Sequence, residues 1–134
     1  MGATQKYLLK QIGLLVIGDE ILLGRKKDKH VSWARDFFGR LNVDISWIAI
    51  LGDDPDLLER YFRLVRERGD DCVSFGGIGA TPDDRTRQAV ARAHDQPITR
   101  HPEAVALLEK QFGEATYPNR ILMAELPEGA GLIP

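Results

Sequence analysis

Residues Ile12 to Ile17 form a near-continuous apolar run that closes on Gly18-Asp19-Glu20. Such a run has no polar face to offer water, so it predicts a strand buried on both sides, at the centre of a parallel sheet. A chain with a strand of this kind must supply helices for both faces. The stretches that follow do so. His30 to Asn42 carries Val31, Ala34, Phe37, Phe38 and Leu41 at helical spacing, with Trp33 on or beside that stripe. Val43 to Leu51 alternates and then turns fully apolar, as a second strand. Asp54 as N-cap with Pro55 at the first helical position opens a helix striped by Leu57, Leu58, Tyr61, Phe62 and Val65, which stops at Arg66 to Gly69. Cys72 to Phe75 is the third strand. Strands alternating with helices predict an α/β domain, a three-layer α/β/α sandwich on a mostly parallel sheet with right-handed crossovers.

At 134 residues the chain has room for one sizeable core and not for two. Residues 12–134 are read as that domain and residues 1–11 as an N-terminal arm. A formal charge of −2 gives no electrostatic basis for binding nucleic acid or an acidic membrane. The one cysteine, Cys72, excludes an internal disulfide and fits a reducing cytoplasm; inside an apolar run it reads as a buried small hydrophobe. No stretch has the form of a signal peptide or a membrane span.

The third strand runs into Gly76-Gly77-Ile78-Gly79-Ala80-Thr81-Pro82-Asp83-Asp84. Three glycines within four positions mark a bare, tight loop. Thr81-Pro82-Asp83-Asp84 then reads as an N-cap, a proline at the first helical position and two carboxylates in the first turn. Strand, glycine loop and helix start in that order aim backbone N–H groups and a positive helix end at one point, which suits a phosphate. The run is neither a Walker A loop nor Gly-x-Gly-x-x-Gly, and a tight turn without ligand explains the glycines equally well.

In a parallel sheet Asp19-Glu20, Asp53-Asp54 and Gly76 to Asp84 all fall at carboxyl ends of strands, where open α/β sheets hold ligands. Capping accounts for Asp54, Asp83 and the Thr81 hydroxyl, but less well for Asp19, Glu20 and Asp53. Like charges at ~4 Å repel by about 4 kcal/mol at surface-like dielectric, so acids around an anion cradle call for a cation. Mg²⁺, which binds through one or two carboxylates plus substrate phosphates, resolves the conflict. The expected site therefore has Gly76, Gly77, Gly79, Thr81, Asp19 and Glu20 around a phosphate or pyrophosphate ligand, with Mg²⁺ between that ligand and Asp84 and with Asp53 nearby. Arg25 to Lys29 is read as a solvated basic face. Further on, a helix is expected from Asp84 to His94, a short strand or extended connection at Pro97 to Thr99, and a helix from Pro102 to Phe112. A loop to Asn119, a helical turn to Glu125 and a strand beginning at Gly131 complete the expectations.

The motifs Gly18 to Gly24, Gly52-Asp53-Asp54 and Gly76 to Thr86, in that order and with Leu126 to Ala130 behind them, resemble the MoaB/Mog-type molybdopterin-binding domain. The resemblance is closest to the N-terminal domain of the competence/damage-inducible protein A (CinA) family and covers Ile12 to Pro134. It implies a mixed sheet, a homo-oligomer such as a trimer or dimer, and molybdopterin or a nucleotide pyrophosphate as ligand. Relatives act in molybdenum cofactor biosynthesis, and the CinA-like subgroup hydrolyses ADP-ribose pyrophosphate bonds with a divalent metal. The family's functional acids map to Asp84, Asp53 and Glu20. Phe75 stands where the family has a small hydroxyl residue, His30 where the CinA subgroup often has Asn, and Ala80 where Pro is common. The chain stops before the family's last strands and the Pro-Gly segment that completes the pocket. Phe75 and the missing end favour the alternative function, a non-catalytic binding or oligomerisation module.

Overall fold

The computed structural model describes residues 9–134. Most of the expected N-terminal arm, residues 1–8, lies outside them. The rest of the arm is already part of the domain, since Leu9 packs on the core and Gln11 opens the first strand.

The central strand β1 (Gln11–Ile17) lies between β2 (Asp44–Leu51) and β3 (Cys72–Phe75), all parallel. Six of its seven residues are buried, as a strand covered on both faces requires. One face is covered by α2 (His30–Arg40). Ile12 and Leu14 meet Ala34, Phe38 and Val43 there. The other is covered by α3 (Pro55–Arg68) and α4 (Thr86–Ala93), where Leu15 and Ile17 meet Leu58, Phe62, Ala89 and Ala93. Three layers follow directly from the unbroken apolar run. Asp54 caps α3, its side chain accepting from the Asp56 and Leu57 amides at 3.0 and 3.3 Å, and Gly69 closes the helix in the left-handed region at φ 74°.

The expected stripes are trimmed by packing. Phe37 and Leu41 of the first stripe and Leu57 of the second are exposed, as is Trp33. The last third differs most from expectation. The antiparallel pair β4 (Ile98–Arg100) and β5 (Glu125–Pro127) forms a second small sheet, packed near α5 (Pro102–Phe112) and a 3-10 turn at Arg120–Ala124. No strand starts at Gly131; the strand is Glu125–Pro127, three residues too short to show a period. A further short helix, α1 (Asp19–Leu22), follows β1 where a turn was expected.

Candidate functional site

The register of the sheet sets three loops side by side. Ile17 pairs with Leu51 and Val16 with Phe75, so β1, β2 and β3 end level, and the glycine-led turns at Gly18, Gly52 and Gly76 leave from one rim. The first two are clasped reciprocally. The Asp53 amide donates to Asp19 Oδ1 at 2.9 Å, and the Asp19 amide donates to Asp53 Oδ2 at 3.3 Å. Burial raises the Asp53 carboxyl above the ordinary range, and the charges of Asp19, Glu20 and Asp83 add to the rise against the Asp19 hydrogen bond. The acid of the third loop that acts on Asp53 is thus Asp83, while Asp84 is engaged elsewhere.

Asp84 belongs to the loop itself. Its Oδ2 accepts from the Thr81 amide at 3.0 Å and the Thr81 hydroxyl at 2.8 Å, and the Gly79 amide also donates to the carboxylate. Burial pushes this carboxyl up, but those three donors and the charge of Arg87 outweigh it and hold it below the ordinary range. A lowered carboxyl stabilises the fold above its unfolded pKa and loses that contribution as pH falls through the folded one.

The expected helix start at Thr81 is corrected by this arrangement. Thr81 is not an N-cap and Asp84 is not at the third helical position, because the Thr81–Asp84 hydrogen bonds close a separate turn. Helix α4 begins at Thr86, whose amide donates to Gly77 O at 3.1 Å and whose hydroxyl donates to Gly76 O at 2.9 Å. The first amide of the helix is therefore spent on the loop and not aimed at a ligand. Gly77 sits at φ 69° with Thr86 Oγ1 only 2.3 Å from where a Cβ would lie, so the hydroxyl anchor requires glycine.

Two further features were not legible as site residues. Arg87, whose side chain lies beneath the loop, donates to the carbonyls of Ile78 and Gly79, the latter at 2.8 Å. The two departures at His30 and Phe75 are coupled: their rings stack at 4.7 Å, Asp28 holds His30 Nδ1 at 2.8 Å, and Trp33 meets Phe75 edge-on at 6.2 Å. Asp28 also accepts from the His30 and Val31 amides, each at 3.0 Å, so an acid inside the basic run starts α2.

The sequence matches, over residues 13–131, the family described as "Probable molybdopterin binding domain". The chain belongs to this molybdopterin-binding domain family. A CinA-like protein of Gloeobacter violaceus is 32% identical over 124 residues, which span 90% of this chain and 29% of that protein. The chain thus spans less than a third of the length of that curated relative. Among solved structures, the protein CinA of Thermoplasma acidophilum, described as of unknown function, superposes with a TM-score of 0.79 at 28% identity, covering 90% of this chain and 72% of that one. The molybdopterin biosynthesis enzyme MoaB of Thermus thermophilus shares the fold with a TM-score of 0.59 at 22% identity, covering 87% and 71%. The molybdopterin-binding α/β fold and the kinship with CinA-like proteins are thereby shown. Among the described residues no helix is long and apolar enough to cross a membrane.

One prediction concerns the acids at the rim of this molybdopterin-binding domain. A carboxyl raised on folding costs stability while it is charged, and that cost is relieved as pH falls through the raised pKa. Asp53→Asn keeps an oxygen for the Asp19 amide and removes the charge. It is expected to raise Tm by about 1–3 °C at pH 7 without divalent cations. A melting curve followed by circular dichroism checks this, and an unchanged or lower Tm would show that the neighbouring acids do not oppose folding.

Proposed function

We propose that the domain binds a pterin or nucleotide carrying a phosphate or pyrophosphate, at the rim formed by Gly76, Gly77, Gly79, Thr81, Asp19 and Glu20, with Mg²⁺ held by Asp53 and Asp84. The observation that carries this reading is the Asp19–Asp53 clasp set level with the glycine loop. It concentrates negative charge beside a loop rich in amide donors. The family description, molybdopterin binding, supports the pterin class.

The donor set fits magnesium only together with its ligand. Among the described residues no three histidine, cysteine or acidic side chains are grouped to hold a metal ion alone. Hard carboxylate oxygens in small number, completed by phosphate oxygens and water, are what Mg²⁺ takes. When bound, the ion would neutralise the charge between the acids and the phosphate.

The chain's own groups then work by exchange. The donors of Gly79 and Thr81 rest on the Asp84 carboxylate, where a bound phosphate would compete for them, and Asp84 and Asp53 are the residues that would hold the cation. Ligand and metal would then favour one another's binding. In the hydrolytic version of this reading Asp84 and Asp53 are the catalytic acids and the loop amides stabilise charge developing on the pyrophosphate. The engagement of Asp84 by three loop donors favours, as a second reading, binding without turnover.

Calorimetric titration with ADP-ribose tests the proposal. Affinity is expected to fall by about ten-fold or more when magnesium is replaced by a chelator, an energy of ~1.4 kcal/mol. Equal affinity in both conditions would remove the metal from the site. Asp84→Asn is expected to abolish any ADP-ribose hydrolysis while leaving the fold intact, and unchanged turnover would remove Asp84 from catalysis.

A further inference from the structure

Arg87 is 7% exposed, although a charged side chain is rarely buried to that degree unless it is paired. It makes no ion pair within contact distance among the described residues, and its Nε has no hydrogen-bond partner among them. Burial opposes its charge, and the carboxylates of Asp84 and Glu125 support it only at longer range. Its directed bonds run to the carbonyls of Ile78 and Gly79. Burying a guanidinium without an ion pair opposes folding, and here its directed bonds fix the orientation of two peptide planes.

A trans peptide holds its C=O and N–H on opposite sides. With the Ile78 and Gly79 carbonyls turned to Arg87, the N–H groups of Gly79 and Ala80 must point away from it. The Gly79 amide does so, donating to Asp84. We propose that Arg87 is the positioning residue of the glycine loop: its buried guanidinium fixes the Ile78 and Gly79 peptide planes, so that the Gly79 and Ala80 amides face the phosphate side before any ligand arrives. Ala80 thereby joins Gly79 as a phosphate donor. The assignment to a phosphate ligand rests on the function proposed above; the pinning of the loop does not.

Hydrogen exchange followed by NMR separates the two. In Arg87→Met the amides of Gly77 to Thr81 are expected to exchange at least about ten-fold faster, while Leu14 and Leu15 in β1 keep their protection. Arg87→Lys, which keeps the charge and loses the two-pronged geometry, is expected to fall between. Loop exchange unchanged in both variants would overturn the proposal. The native protein supplies a reading that needs no folded variant: the Arg87 guanidinium protons are expected to exchange more slowly than those of exposed arginines, and equal rates would overturn the pinning.

In the ADP-ribose titration, Arg87→Lys is expected to bind about ten-fold more weakly at unchanged Tm. Wild-type protein that binds no ADP-ribose defeats the ligand reading and leaves the exchange result to decide the pinning. Wild-type binding matched by Arg87→Lys defeats the positioning role alone.

Discussion

Gly76→Ala is expected to destabilise the domain by about 3 kcal/mol or more, the sum of a strained backbone and a steric conflict. Gly76 has φ 98°, a region that side chains rarely adopt, and a Cβ there would lie 2.1 Å from the carbonyl oxygen of Ile17. That oxygen is backbone at the end of the central strand, so it cannot swing aside as a side-chain tip could. Relief requires either β1 or the whole Gly76 to Asp84 loop to move, and the loop is tied to Thr86 and Arg87 on its other side. The comparison is Gly24→Ala, at φ 75° with no atom within 4 Å of the added carbon. It carries the strain without the clash and is expected to cost about 1 kcal/mol. Urea denaturation with a common slope measures both. Equal costs for the two would show that the contact with Ile17 does not constrain the loop.

Leu15→Ala is expected to cost about 3–5 kcal/mol, and to lower Tm by roughly 10–15 °C. Leu15 is fully buried on the central strand, facing Leu58 and Phe62 of α3 and Ala89 and Ala93 of α4. The size of the effect comes from what stands opposite. Alanines on α4 let the helix approach closely and offer no long side chain to swing into the space left behind, so the cavity stays open. Ile133→Ala, at a position 97% exposed, is the control and should fall within ~0.5 kcal/mol of wild type. A cost below ~1.5 kcal/mol for Leu15→Ala would mean that the helices close over the gap.

Most of the first half of the fold was legible because its signals are strong and local. Ile12 to Ile17 shows its burial in its composition, Asp54-Pro55 carries its own cap, and Gly69 its own stop. The stripe of α2 was overread at Phe37 and Leu41, because periodicity tells which side of a helix is apolar and not how much of that side a narrow sheet can cover. β4 and β5 hold three residues each, and only their pairing with one another makes them strands. The residues proposed for the candidate site were chosen by type and motif, and their hydrogen-bond partners were not legible there. Thr81, Pro82 and two aspartates satisfy every local rule for a helix start, and the turn won because the Asp84 carboxylate reaches both polar groups of Thr81 while Thr86 docks on Gly76 and Gly77.

The sequence by itself determined that this chain builds a parallel sheet between two helical layers and delivers three acid- or glycine-bearing turns to strand ends, since hydrophobic period and turn chemistry are properties of neighbouring residues. Only the tertiary structure decided which groups in those turns meet. The Asp19–Asp53 clasp spans 34 positions along the chain and exists because β1 and β2 end level. The use of Asp84 by the loop, and of Arg87 beneath it, follows from where α4 is packed. Hydrogen bonds of that kind depend on ångström distances between separately folded segments, and no local pattern encodes those distances.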